Sequence, residues 1–486
     1  MNPDLVVIGG GLAGSEAAWQ AAQRGLRVSL HEMRPNRPTG AHATDRLAEL
    51  VCSNSLGSNL PDRASGVLKT ELRSMGSFLL ACAEETAVPA GGALAVDREA
   101  FAELVTARVE GHPRIELVRS EVERLPAGPA IVASGPLTAP ALAAELQQWL
   151  GGPHLYFYDA LAPIVEYESV DLAIAFRASR YGRGEVLDGD YLNCPLTRAE
   201  YDNFVAELVK AERIALREFE ADIASGVRAG PDKFFESCLP VEIIAERGLE
   251  SLAYGPMRAV GLRDPHTGRR PYAVVQLRQD NLAGSLYNLV GFQTNLTFSE
   301  QQRVLRLIPG LGQARFARYG MLHRNTFINS PRTLLPTLQA QQRTDIFFAG
   351  QITGVEGYMG NVATGLLAGI NAARLLAGEE LLTLPATTML GALCWYVTHA
   401  DPDNFQPMKA NFGLLPALER AANGRDGGKR ERFGAYAARS ADDLGAYLAA
   451  AKFEAVDDGG GSHRATVALL HAAASAVVRA PGSNAA

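Results

Sequence analysis

The chain is predicted to be α/β: a domain built on a parallel sheet, split by an inserted segment of α+β character. Three observations predict it. A strand–glycine loop–helix–strand unit opens the sequence. Two short apolar stretches ending in glycine lie far apart, at 130–135 and 345–350. The residues between them differ in pattern and in charge.

The opening unit is Leu5-Val-Val-Ile8, a continuous apolar run of the kind that forms a strand buried on both faces. It leads into Gly9-Gly10-Gly11-Leu12-Ala13-Gly14, which satisfies G-x-G-x-x-G. A helical pattern follows from Ser15 to about Gln23. Gly25 breaks it, and Leu26-Arg-Val-Ser-Leu30 reads as a second strand running to Glu32. In such a unit Gly9 permits the tight turn, Gly11 lets a pyrophosphate approach the backbone, and Gly14 lets helix and strand pack closely. Gly10, Leu12 and Ala13 complete the loop. The helix N-terminus offers unpaired N–H groups and partial positive charge to phosphates. Glu32 stands where a carboxylate can accept from both hydroxyls of an adenosine ribose. The unit therefore predicts a dinucleotide site in a Rossmann-type domain.

Composition sets the frame. The 486 residues suffice for two or three domains, and 47% hydrophobic with 20% charged residues is a globular balance. No apolar run is long enough to span a bilayer, and the N-terminus lacks a cleavable leader pattern, so no membrane partner and a cytoplasmic location are expected. The five cysteines, Cys52, Cys82, Cys194, Cys238 and Cys394, are scattered without a C-x-x-C pair. That argues against a disulfide framework and against a metal site, and leaves room for a reactive thiol.

Downstream, Met33-Arg-Pro-Asn-Arg-Pro38 reads as a loop. Leu50-Val-Cys52-Ser-Asn-Ser-Leu-Gly-Ser58 packs small polar residues around one cysteine, as in a loop held against a ligand, although a plain turn with a buried thiol fits the same residues. A helix is expected from Ala64 to about Ala87, with Lys69 and Glu71 on its polar side. A second amphipathic helix is expected from Arg98 to about Val109. Ala130-Ile-Val-Ala-Ser-Gly135 and Asp345-Ile-Phe-Phe-Ala-Gly350-Gln351 read as strands returning to the first sheet. Gly357-Tyr-Met-Gly360-Asn361 then precedes a helix from Val362 to about Leu376. Its N-terminus could face a flavin ring and stabilise negative charge there. The expected division is 1–155 with 335–455 as one discontinuous domain, 156–334 as the insertion, and 456–486 as a loosely attached tail.

Within the insertion, 156–158, 164–167 and 273–277 read as strands, and a long helix is expected from about Arg198 to Ala224. Phe234-Phe-Glu236-Ser-Cys238-Leu-Pro240-Val-Glu242 sets a thiol between two acids. Charge is uneven. Between 258 and 332 lie eleven arginines and three acids, an excess of eight positive charges in a chain whose total is -7. Arginine suits bidentate phosphate contacts and stacking on bases, so a polyanion surface is expected there. The alternative for the same residues is a set of solvated or internally paired side chains.

Several of these segments together resemble one family. They are Gly9–Gly14 with Ser15-Glu16, His31-Glu-Met-Arg-Pro35, Cys52-Ser-Asn-Ser-Leu-Gly-Ser58, Pro89 to Arg98, Phe235-Glu-Ser-Cys238-Leu-Pro240 and Gly350-Gln-Ile-Thr-Gly-Val-Glu-Gly-Tyr358. Over about residues 3–450 the chain is similar to the folate- and FAD-dependent tRNA (uracil-5-)-methyltransferases, the TrmFO family. The resemblance implies a glutathione-reductase-like FAD-binding domain, although generic members of that class place Asp where this chain has Gln351. It implies FAD held by Gly9–Gly14, Glu32, Gly350, Gln351, Gly360 and Asn361. It also implies 5,10-methylenetetrahydrofolate as carbon donor, NADPH or NADH as reductant, and the T loop of tRNA, not DNA, as partner.

The family chemistry accounts for the cysteines. Uracil C5 is a weak nucleophile, and a thiolate adding at C6 makes it a strong one. The resemblance assigns Cys238 to that attack and Cys52 to a place by the flavin, with exchange of the two roles left open. Glu236 and Glu242 stand near enough in sequence to assist a proton, and Cys82, Cys194 and Cys394 read as structural. The rival readings are a wobble-uridine-modifying tRNA flavoprotein, an NAD(P)H-dependent flavin oxidoreductase of a small molecule, and a flavin-bound RNA-binding protein without activity. No second G-x-G-x-x-G is present for the small-molecule oxidoreductase.

Overall fold

A computed structural model describes residues 3–39, 41–151, 155–160, 162–182, 189–214, 239–320, 322–418 and 428–456. The N-terminal part runs β1 (Leu5–Ile8), α1 (Leu12–Gln23), β2 (Val28–His31), β3 (Ser55–Ser58), α2 (Ala64–Ser74), α3 (Phe78–Glu85), β4 (Ala87–Val88), β5 (Ala93–Val96), α4 (Arg98–Glu110), β6 (Ile115–Val118) and β7 (Ala130–Val132). The middle holds α5 (Pro140–Leu150), β8 (Leu155–Ala160), β9 (Ile164–Glu166), β10 (Phe176–Ala178), β11 (Tyr191–Leu196), α6 (Arg198–Lys210), β12 (Ala273–Gln279), β13 (Leu286–Leu289), β14 (Phe316–Arg318) and β15 (Leu322–Phe327). Then follow β16 (Ile346–Phe348), α7 (Tyr358–Ala377), α8 (Met389–His399) and α9 (Lys429–Ala450).

The main sheet is parallel, in the order β16-β7-β1-β2-β6. β1 sits in the middle, pairing Val6 with Ala130 on one side and Leu5 with Val28 on the other. Its continuous apolar run fits a strand covered on both faces. β16 pairs with β7 through Ile346 and Ala130, so strands from both ends of the chain lie side by side. Of the chain between them, α5 packs back on this sheet, Leu142 and Leu146 joining Ile8, Ala130, Val132 and Phe348 in one cluster. A six-stranded antiparallel sheet, β10-β11-β12-β13-β9-β14, is assembled wholly from residues 164–318, and an antiparallel ribbon of β8 and β15 pairs its two flanks.

Glycine controls how closely α1 and α7 approach. A Cβ added at Gly365 would lie 2.3 Å from the Ala13 carbonyl oxygen, and one at Gly369 would lie 2.5 Å from that of Ala17. Only bare backbone fits along this seam, and α7 is thereby drawn against the first turn of α1.

Three local expectations need correction. The helix expected over 64–87 is two helices, broken at Gly76, which takes φ +75°. Neither Lys69 nor Glu71 faces solvent; Lys69 is 0% and Glu71 2% exposed. Lys69 donates to the carbonyls of Gly57 and Ser58 and to Ser65 Oγ. Glu71 accepts from the N–H groups of Met389 and Leu390, capping α8, and from Ser440 on α9. Polar partners from distant elements outweigh the helix periodicity here. The helix from Arg198 ends at Lys210, where Ala211 turns extended and 211–214 are not helical; 215–224 of its expected span lie outside the described residues. α7 begins at Tyr358, four residues earlier than expected, so Gly360 and Asn361 lie in its first turn.

Glu16 repeats the Glu71 arrangement, accepting from Ser77 Oγ and the Phe78 and Leu79 N–H groups at the start of α3. Burial pushes both carboxyls up to about 7, against the pull of their hydrogen bonds. A raised carboxyl favours the folded state fully below its unfolded value near 4.5, and that contribution is gone above about 7. Between those limits the folded protein holds protons that the unfolded chain has lost, so stability falls as pH rises. Glu71→Gln removes this component. Its stability relative to the unsubstituted protein should improve by about 3 kcal/mol between pH 4.5 and 7. Paired urea melts across that range check it, and parallel curves would refute it.

Candidate functional site

At the C-terminal end of β1 the backbone turns at Gly9, which takes φ +105° and has the Ala133 carbonyl oxygen where a Cβ would stand, 2.4 Å away. Gly14 is more constrained still: its Cβ would lie 1.8 Å from the Gly9 carbonyl oxygen. A Cβ on Gly10 would meet Leu47 at 2.5 Å and Glu32 at 2.9 Å. Gly11 is different. No protein atom lies within 4 Å of the Cβ it lacks, so the loop opens there onto space. Gly11 also precedes α1 with no side chain capping the helix, leaving the N–H groups of Leu12, Ala13 and Gly14 directed to that side.

Glu32 follows β2 and is 6% exposed. Its Oε2 accepts from the Gly10 N–H at 2.9 Å, and its Oε1 accepts from the Arg34 N–H at 3.0 Å and Arg34 Nε at 2.8 Å. Burial works to raise this carboxyl, but Arg34 outweighs it and holds the group below its ordinary value. The carboxylate thus braces the glycine loop, and Oε2 keeps capacity for a further donor.

The second half of the site comes from α7. Its N-cap, Gly357, takes φ +82° and offers no side chain, so a second uncapped helix N-terminus stands beside that of α1. Gly350 joins them: its Cβ would lie 2.8 Å from Ala13 Cβ and 3.8 Å from Asn361 Oδ1. Asn361 is 8% exposed, and its Oδ1 has no hydrogen-bond partner. An orphaned buried acceptor between two uncapped helix starts and an open glycine loop fits a dinucleotide with donor groups of its own. Gln351, next to Gly350, donates to Glu356 at 2.8 Å.

Cys52 is brought to the same place. Its N–H donates to the Tyr358 hydroxyl, at the first residue of α7, at 2.8 Å. Arg98 Nη2 donates to the Cys52 carbonyl at 2.9 Å and Nη1 to that of Leu50 at 2.8 Å, while its Nε is ion-paired with Asp280 at 2.9 Å. Arg278 donates to Asn54 Oδ1 at 2.9 Å and to Ser53 Oγ at 3.1 Å, and lies close enough to Cys52 for the two to interact electrostatically. Asn54 donates to the carbonyls of Val96 and Gln279. The loop is therefore gripped from three sides: α4, the end of β12 and α7. Lys69 holds its far end, and burial, with Arg73 nearby, pushes that ammonium down to about 7.

Cys238 and Glu236 lie outside the described residues. Leu239 and Pro240, which follow, are buried at the start of the short helix Val241–Glu246. Glu242 is fully buried and accepts from Thr294 Oγ1 and the Asn295 N–H. Cys82, Cys194 and Cys394 are buried, and burial pushes each thiol up to about 12. Sequence reasoning missed Arg278, Asp280, Lys69 and Tyr358 as parts of this site. Arg98 stood in a quoted motif without a role. Among the described residues no cluster of His, Cys, Asp and Glu could hold a metal ion, and no helix is long and apolar enough to cross a membrane.

The parallel sheet with its glycine loop and the inserted antiparallel sheet define a Rossmann-type α/β protein. A family model described as glucose inhibited division protein A matches residues 4–380. The structure of Aquifex aeolicus GidA in its form II crystal is similar, with a TM-score of 0.66 at 15% identity, covering 97% of this chain and 76% of that one. Likeness at that identity concerns the fold alone. The methylenetetrahydrofolate--tRNA-(uracil-5-)-methyltransferase TrmFO of an Exiguobacterium species is 54% identical over 443 residues, covering 91% of this chain and 98% of that one. The enzyme of the same name from Pelotomaculum thermopropionicum is 55% identical over 441 residues, 90% of this chain and 97% of its own. The chain belongs to the TrmFO family.

Proposed function

We propose that this protein methylates C5 of a T-loop uridine in tRNA, with 5,10-methylenetetrahydrofolate as carbon donor, FAD as bound cofactor and NADPH or NADH as reductant. The observation that carries the reading is the fixing of Cys52 beside the uncapped start of α7, by Tyr358, Arg98 and Arg278, next to the open glycine loop. Both features occur together, as a reaction that needs a positioned thiol beside a bound dinucleotide requires. In this reading Gly9, Gly10, Gly11, Leu12, Ala13 and Gly14 receive the pyrophosphate, Glu32 the ribose, and Gly350, Gln351, Gly360 and Asn361 the flavin end. Residues 1–155 and 335–455 form the cofactor domain, 156–334 the tRNA-facing insertion and 456–486 a tail, and the enzyme works in the cytoplasm.

When bound, the flavin relays the one-carbon unit and supplies the hydride that completes the methyl group. The chain must activate the base. Cys238 adds through its thiolate to C6, forming an S–C6 bond and placing the electron pair over C5, which then bonds to the incoming carbon. The C5 proton leaves to a base at the site, a role for the Cys52 thiolate, and its electron pair breaks the bond between the new carbon and its carrier, leaving a methylene group doubly bonded to C5 to which the hydride would add. The S–C6 bond breaks as the hydride arrives, returning Cys238 unchanged. Flipping the uridine out of its stack costs about a few kcal/mol, supplied by tRNA contacts elsewhere.

Labelled methylenetetrahydrofolate, NAD(P)H and an unmodified tRNA transcript test this directly. Label should appear in 5-methyluridine of the T loop and be lost in Cys238→Ala. Transfer that survives Cys238→Ala but stops in Cys52→Ala would exchange the two cysteines. Consumption of NAD(P)H with no label in tRNA would overturn the reading.

A further inference from the structure

The arginine-rich stretch divides sharply once its partners are known. Arg278 is consumed by the Cys52 loop. Arg303 pairs with Glu300 and Glu207, Arg315 with Glu166, and Arg332 with Asp403. Arg306 donates to the Ala314 carbonyl and Arg318 to that of Ala41. The side chain of Arg324 lies outside the described residues. What remains is Arg258, Arg263, Arg269 and Arg270, all exposed and none with a side-chain hydrogen bond or ion pair among the described residues.

These four share one ribbon. Val274 N–H donates to the Met257 carbonyl at 2.9 Å, Arg258 bridges to Ala273, and Asp264 N–H donates to the Arg269 carbonyl at 2.9 Å. Residues 257–264 and 269–274 thus run antiparallel, closed by a turn. The only acid of the ribbon, Asp264, is 6% exposed and is turned inward to the His266 N–H and Thr267 Oγ1. Glu250, just before the ribbon, is held by Arg198, which also pairs with Asp202. Arg180 lies close enough to Arg258 for their charges to repel. Exposed Tyr254, 80% accessible, and His266 flank the arginines. Like charges gathered without a counter-charge make a site for an external polyanion, and planar guanidinium groups beside exposed rings suit phosphates and bases.

The ribbon leads directly into β12, whose other end carries Arg278 at the Cys52 loop. Ala273 and Arg278, five steps apart along the strand, are separated by about 17 Å. We infer that the 254–272 ribbon is the surface that grips the sugar-phosphate backbone of tRNA while a base reaches the Cys52 loop at the opposite end of β12. This rests on the function proposed above and adds which of the arginines do the work.

The test is the triple variant Arg263→Ala, Arg269→Ala, Arg270→Ala in the full-length holoenzyme, with substitutions confined to exposed side chains. Its KM for tRNA should rise by about tenfold or more, and the slope of log affinity against log salt should shrink by about 2 to 3. Its kcat at saturating tRNA and its NAD(P)H oxidation without tRNA should match the parent protein. An unchanged KM and salt slope would overturn the assignment while leaving the methyltransferase reading intact. A parent protein that shows no salt-dependent tRNA binding at all would overturn both.

Discussion

Gly11→Ala is expected to fold normally and to purify without flavin. The Cβ it introduces meets no protein atom within 4 Å, and the residue precedes α1 with φ −76°, a conformation open to alanine. Stability should therefore change by less than about 1 kcal/mol. The same Cβ points into the space in which the glycine loop is proposed to meet the pyrophosphate, and the backbone could no longer approach it. Gly14→Ala, three residues on, should do the opposite. Its Cβ would sit 1.8 Å from the Gly9 carbonyl oxygen, backbone against backbone, so α1 must leave the sheet. That overpacking should cost about 3 kcal/mol or more and yield little soluble protein. Flavin absorbance per protein, with a thermal melt on each variant, separates the two. A Gly11→Ala protein as yellow as its parent would remove the glycine loop from the cofactor site.

Arg98→Met should be the most damaging substitution away from the glycines and the two reactive cysteines. Arg98 is 11% and Asp280 4% exposed at the side chain, and the pair spans the junction between α4 and the end of β12. Removing the guanidinium leaves Asp280 as an uncompensated buried carboxylate and strips donors from the Leu50 and Cys52 carbonyls. Breaking such a pair costs about 3–5 kcal/mol. Methyl transfer should fall by about a hundredfold even where the protein stays folded, because the Cys52 loop loses its anchor and small misplacements are costly at a reacting centre. Adding Asp280→Asn should restore part of the stability, since the stranded charge is gone, but not the activity. A double-mutant cycle in urea, run with the tRNA assay, measures both. Additive stability losses would show that the pair contributes nothing as a pair.

How far the chain can be read before folding depends on the range of the interaction. β1, the glycine loop, α1 and β2 were legible because each is a local signal: apolar continuity, glycine spacing and helix periodicity act over a few residues. The pairing of β7 with β16 was suggested by two similar short strands, and the register of Ile346 with Ala130 agrees. Lys69 and Glu71 were misread for the converse reason. Their place on a helix suggests solvent, yet their partners, Ser58, Met389 and Ser440, come from other elements. The helix at 64–87 was one pattern broken by a glycine whose left-handed backbone the pattern does not reveal.

The sequence by itself determined the parallel α/β frame, its interruption, the dinucleotide-type loop and the segments that match the TrmFO family. These follow from short-range sterics and from residue order, which survive without coordinates. Only the tertiary structure decided which groups surround Cys52, and which of the arginines are spent. The eight-charge excess between 258 and 332 is a sum, and a sum is blind to pairing. Folding brings Glu166, Glu207 and Asp403 to Arg315, Arg303 and Arg332, and leaves Arg258, Arg263, Arg269 and Arg270 without such partners among the described residues. Electrostatic partners are chosen by distance in space, which sequence position does not encode.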